Sequence, residues 1–168
     1  FSQALSFSPS VLAMFENENN QFPETTGTVI LGDDIGGLKS KGVIENIQIL
    51  KTSASQGIAV ANTDVDNLVR RLPLLLRSHD GWIHAFGTEV LKSIADTYVI
   101  KTNDNGIEEV RVKGLPPVKT DSLGRKWISW VKTPETTLSE MNVQNKFVFV
   151  GFTAKGIMPQ IAVPNNQL

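Results

Sequence analysis

The chain has 168 residues, 40% of them apolar, the size and make-up of one globular domain with a real core and not of a disordered tail. Sixteen Lys and Arg against 17 Asp and Glu leave a formal charge of −1, so the basic excess that draws proteins onto nucleic-acid phosphates is missing and no nucleic-acid partner is expected. The absence of cysteine excludes a disulfide scaffold, a thiolate zinc site and a cysteine nucleophile, and no apolar run approaches the roughly 20 residues that cross a bilayer.

Phe1, Ala4, Leu5 and Ser8 share one helical face, Pro9 ends that pattern, and residues 11–15 read as a short apolar strand. A polar stretch over 16–26 precedes a second strand at 28–31, closed by Gly32, Asp33 and Asp34. Val43, Ile44, Ile47 and Leu50 predict a short helix, and residues 57–61 a strand long enough to be buried. Residues 62–67 supply a turn. Over 69–76 an edge strand is expected, because Pro73 cannot donate to a ladder.

Asp80-Gly81 reads as a hairpin turn into Trp82 and Ile83. Phe86, Val90, Leu91, Ile94 and Ala95 recur at helical spacing, so 85–95 is expected to be a helix with Glu89, Lys92 and Asp96 on its other faces. Two β-rich runs within 98–112 flank Asn103-Asp104-Asn105-Gly106 and predict a hairpin. After a link at Pro116 and Pro117, residues 126–131 read as a strand with Trp127 and Trp130 on opposite faces. Thr137 and Glu140 form a capping box that starts a helix, and 147–150 is expected to be a buried strand. Strands alternating with helices give an α/β fold: a mixed, mostly parallel sheet flanked by helices, with one or two hairpins, in a single domain over 1–168.

Residues 57–61, followed by Thr63-Asp64-Val65-Asp66-Asn67 and then Arg70-Arg71-Leu72-Pro73-Leu74, resemble the central signature of the CHASE domain of the second type: a strand, an Asp-x-Asp turn, an arginine pair and Leu-Pro-Leu. The stretch Asn145-Lys146-Phe147-Val148-Phe149-Val150-Gly151-Phe152-Thr153-Ala154 is similar to that family's Gly-Lys-x-Val-x-Ile-Gly-x-Thr-Ala ending, and 85–95, 127–131 and 137–141 look like its intervening helix, strand and helix. One departure is Met158-Pro159-Gln160, where the family usually carries an Asp, so a polar role for that Asp does not transfer.

The resemblance implies a non-catalytic, extracytoplasmic sensory module of a membrane-anchored bacterial nucleotide cyclase or kinase, reading an unknown small-molecule signal without a cofactor. It also implies a module that starts upstream of Phe1, with a strand, a helix and a second strand. The chain then reads as a processed or excised piece, with an open edge that favours a homodimer.

Weighed on their own, few residues form a chemical constellation. Asp64 and Asp66 lack the further acidic positions of a calcium loop, so they read as turn residues and no metal is expected. Arg70 and Arg71 are candidate ligand contacts, since a guanidinium fork clasps carboxylate or phosphate, against the plainer reading of a salt bridge that fixes the turn. In the Gly-rich loop at 151–156, Thr153 and Lys155 could face an anion, although neither a GxGxxG nor a Walker pattern is present. His79 and His84 read as turn-surface histidines, and no nucleophile–base set can be assembled from spacing. Two further readings stay open: a soluble α/β enzyme holding a phosphate-containing ligand at 151–156, and a ligand-free dimerisation module.

Overall fold

Short apolar runs between turn residues make short elements. The computed structural model describes residues 1–23, 28–95, 97–129, 131 and 143–151. The order begins with α1 (Ser2–Leu5), β1 (Val11–Glu16), β2 (Thr28–Leu31), β3 (Leu38–Lys39), β4 (Val43–Ile44), α2 (Gln48–Lys51) and β5 (Ser55–Ala59). It continues with β6 (Arg71–Pro73), β7 (Leu75–Arg77), β8 (Trp82–His84), α3 (Phe86–Lys92), β9 (Tyr98–Asn103), β10 (Gly106–Val112), β11 (Val118–Lys119) and β12 (Arg125–Trp127). The chain divides into two units. All of these elements lie in the first, Phe1–Asn62 with Arg71–Ile128; the second is Thr63–Arg70 with Ser129–Leu168.

The mixed character of the sheet structure is as expected, but one large, mostly parallel sheet is not what the described residues form. They make four small sheets, ordered β4-β1-β5, β11-β10-β9-β2, β12-β6 and β3-β7-β8. Among the described strands, β1–β5, β2–β9 and β3–β7 pair in parallel and the rest antiparallel. Tight turns account for much of the difference. Each hairpin supplies its strand with an antiparallel neighbour at once, and the three helices among the described residues are too short to blanket a sheet face.

Both expected hairpins form. Arg77 pairs with Trp82 across the turn that holds Asp80 and Gly81, and Asn103 pairs with Gly106 at the head of β9 and β10. Gly106 has φ 122°, and a Cβ there would lie 2.5 Å from the Ser122 carbonyl oxygen, so both conformation and space require glycine. Alternation along β9 turns Tyr98, Ile100 and Thr102 inward, where the two apolar ones join Leu75, Trp82, Ile107, Val110 and Val112 in one core. A second core gathers Met14, Val43, Ile58, Leu76 and Ile83 between β1, β4, β5, β7 and β8. Helix α3 crosses β5 at Gly57, where an added Cβ would sit 2.6 Å from the Phe86 Cα.

Four local expectations are corrected. The helix expected from Val43 to Leu50 divides, because buried, β-branched Val43 enters a sheet beside β1 and only Gln48–Lys51 is helical, with Ile47 and Ile49 exposed. The strand expected over 69–76 breaks at Leu74, whose N–H bonds to the Gly124 carbonyl; Arg71–Pro73 pairs with β12 and Leu75–Arg77 with β8. Helix α3 stops at Lys92 and is rotated from its apolar pattern: Glu89 is buried and Ile94 is 60% exposed. The run Phe147–Val150 forms no strand and lies exposed, since an apolar run needs a ladder partner before it can be a strand, and none of the described pairings includes it. Trp127 lies on the surface, while Trp130 and the helix expected at 137–141 fall outside the described residues.

Candidate functional site

The Asp64–Arg70 turn belongs to the second unit and is closed by its own charges. Arg70 places its fork on Asp66, Nη1 to Oδ1 at 2.8 Å and Nη2 to Oδ2 at 2.6 Å, and Nη1 also reaches Asp64 Oδ2 at 3.3 Å. Asp66 Oδ1 accepts from the Leu68 N–H at 3.3 Å, and the Asp64 N–H donates to the Leu68 carbonyl at 2.9 Å. The Arg70 hydrogen bonds to Asp66 outweigh the opposing desolvation and, with the Leu68 N–H and the Arg70 charge, hold the Asp66 carboxyl down at about 2. The structural reading of Asp64 and Asp66 therefore describes their geometry, and the Arg70 fork is committed to them.

Arg71 lies in the first unit and faces a different carboxylate. Its Nη1 is 3.4 Å from Asp121 Oδ2, and its guanidinium lies 5.5 Å from the centroid of the exposed Trp127 ring. Asp121 in turn holds its own turn, accepting from the Leu123 and Arg125 N–H groups and from Arg125 Nε. The two adjacent arginines thus serve separate turns. Thr153 and Lys155, the other candidate contacts, fall outside the described residues.

His79 is an exposed turn histidine beside Asp80, as expected. His84 is not: it is 6% exposed, on a strand whose three residues are all buried. Its Nδ1 lies 2.7 Å from Glu89 Oε2 and its Nε2 2.7 Å from Thr28 Oγ1. Its ring centroid is 4.5 Å from that of Tyr98. A carboxylate can only accept, so Nδ1 carries a proton. Burial works against the Glu89 charge, but the hydrogen bond and charge of His84, with Lys92 and Ser55, outweigh it and lower its pKa.

The Tyr98 hydroxyl is buried without a partner at hydrogen-bonding geometry among the described residues; Thr88 is near enough to favour the phenolate, yet burial prevails and pushes the phenol far up. His84 therefore touches α3 through Glu89, β2 through Thr28 and β9 through Tyr98. Sequence spacing hid this junction because its members lie on four elements. The one local signal was a histidine and a glutamate five apart across a strand-to-helix turn.

A third polar knot is more open to solvent. Arg77 donates to both Asp34 oxygens at 2.8 and 2.9 Å, Trp82 Nε1 donates to Asp34 Oδ1 at 3.0 Å, and the guanidinium lies 4.8 Å from the Trp82 ring centroid. An open cleft of about 690 Å³, rich in serine and threonine hydroxyls, lies beside residues 5–10 and 51–55. Among the described residues no three His, Asp or Glu side chains gather as a metal site would require, and no helix is long and apolar enough to cross a membrane.

The family model of the CHASE2 domain matches residues 2–167. No curated protein and no solved structure matches the chain.

Proposed function

The chain belongs to the CHASE2 domain family, extracellular sensory domains of signalling proteins, and from that premise we propose that it receives a signal for a membrane-anchored nucleotide cyclase or sensor kinase. The match over residues 2–167 carries the reading, because it takes in both sequence signatures and the elements between them. A signal acts here through its differential affinity for two arrangements of the domain or of its homodimer. A small molecule is the proposed ligand class, with Arg70, Arg71, Thr153 and Lys155 as proposed contacts. Arg71 is the best placed of the described pair, since its guanidinium stacks on an exposed indole that could extend a ligand surface.

The test is made in the parent receptor. Deleting residues 2–167 while keeping the rest in frame is expected to uncouple cyclase or kinase output from its stimulus. Unchanged regulated output would overturn the reading, and mass spectrometry of the natively purified domain would show whether a small molecule travels with it.

A further inference from the structure

We propose that the His84–Glu89 pair is a proton-binding site that joins two sheets, and that a proton taken up there is a signal the domain reads. The second half of this proposal rests on the sensory reading above; the first half does not.

Both ring nitrogens have a partner that can serve in either protonation state. With the ring neutral, Nδ1–H donates to Glu89 Oε2 and Nε2 accepts from the Thr28 hydroxyl, the two contacts being 2.7 Å each. With the ring charged, both nitrogens donate, so Thr28 Oγ1 becomes an acceptor and its own hydrogen is released to seek another partner. One proton therefore reverses the direction of the hydrogen bond between β8 and β2.

Four elements beside β8 carry groups that bear on that exchange, while β7 places the apolar Leu75 opposite His84. From α3 come the Glu89 carboxylate and, 3.7 Å from its Oε2, the Lys92 ammonium. From β9 comes the Tyr98 ring, whose face favours a cation, while its phenol, held neutral by burial and by the Glu89 charge, does not compete for the proton. From β2 comes only the neutral Thr28 hydroxyl. From β5 the Ser55 hydroxyl supports Glu89. A charged ring thus meets a carboxylate and an aromatic face, opposed by burial and by Lys92. Histidine is the side chain that ordinarily changes charge between about pH 5 and 8.

The responding element is well placed to respond. Thr28 is the first residue of β2, an edge strand among the described residues, and it stands in register with Tyr98 on β9. The reversal falls where that edge begins, so its effect can be read in the β2 backbone.

Nitrogen-15 NMR of the 168-residue chain from about pH 5 to 8 tests the site. The expected result is one ring proton on His84 at the alkaline end, on Nδ1, and two at the acid end, with the Thr28–Leu31 amide shifts following the same midpoint. His84→Gln should abolish the β2 response. Thr28→Val, nearly isosteric and gentler on the fold, should abolish it while the ring still titrates. A His84 ring that keeps one protonation state across the range, or β2 amides that stay still while the ring titrates, overturns the proposal.

In the parent receptor, output should change with external pH in wild type and lose that dependence in Thr28→Val. Output indifferent to pH, beside a confirmed NMR titration, overturns the signalling half alone. Loss of all regulation on deleting the domain is a separate measurement, so failure here and failure of the sensory reading are distinct.

Discussion

Two acid–base pairs lie at nearly the same spacing along the chain, Asp66 with Arg70 and His84 with Glu89, and the fold treats them differently. The first pair keeps 47% and 28% of its side chains exposed and satisfies a turn made of its own neighbours. The second keeps 4% and 10%, and its histidine reaches a threonine 56 positions away in sequence. The exposed pair has water as an alternative partner in every state, whereas the buried pair does not. The same chemistry is thus local fastening in one place and long-range coupling in the other.

The comparison breaks most readily at Glu89. Replacing it with Ala leaves the buried His84 N–H without its acceptor, and removing one member of a buried pair costs about 3–5 kcal/mol. The melting temperature should fall by roughly 6 °C or more. Glu89→Gln keeps an acceptor and should lose clearly less. The control is Glu108→Ala, at a half-exposed pair with Lys101. Equal melting of the two alanine variants would show that burial makes no difference here.

A smaller loss is expected at Gly57, and it sharpens the same point without touching a charge. An added Cβ meets the Phe86 Cα at 2.6 Å and the Glu89 Cβ at 3.0 Å, and backbone cannot yield as a flexible side chain can. Gly57→Ala should cost about 1–3 kcal/mol by urea unfolding and should disturb the His84 ring signal, because α3 must lift and carry Glu89 with it. Loss of stability with an unperturbed ring would mean that the helix yields elsewhere.

Turn chemistry made both hairpins legible in sequence, since Asp80-Gly81 and Asn103 to Gly106 state their geometry in four residues. The Arg70 fork was also legible as a salt bridge, because it closes on carboxylates four and six residues back. Sheet partners were not, for β2 pairs with a strand some 70 residues on and nothing in four apolar residues names it. Val43 and Ile44 suit a helix pattern as well as a strand, and only the neighbouring β1 decides. Helical periodicity put Glu89 outside and Ile94 inside. The reverse arose because a histidine on the preceding strand offers the carboxylate a partner, a fact that exists only in three dimensions.

At Tyr98 the expected effect is close to zero or slightly favourable. Its hydroxyl is fully buried and unpartnered among the described residues, while its ring packs on His84 and fills the core. Tyr98→Phe keeps the ring and removes an unsatisfied polar atom, so stability should hold or rise by up to about 1 kcal/mol. A loss of that size would reveal a partner for the hydroxyl and make it part of the His84 junction.

The smallest effect is expected at Asp66. Its carboxyl is held at about 2 in the folded turn, below its ordinary value, so its contribution is present at neutral pH and is lost as pH falls through about 2. Asp66→Ala should therefore melt slightly below wild type at pH 7, and the two curves should converge in acid. Glu89 is also depressed and so shares that direction with pH. Salt separates the two pairs. Raising ionic strength to about 1 M shortens the screening length to roughly 3 Å, which should shrink the Asp66→Ala difference while leaving the Glu89→Ala difference nearly unchanged. Should salt weaken both alike, the His84 pair is reached by solvent, and the distinction between fastening and coupling fails at its root.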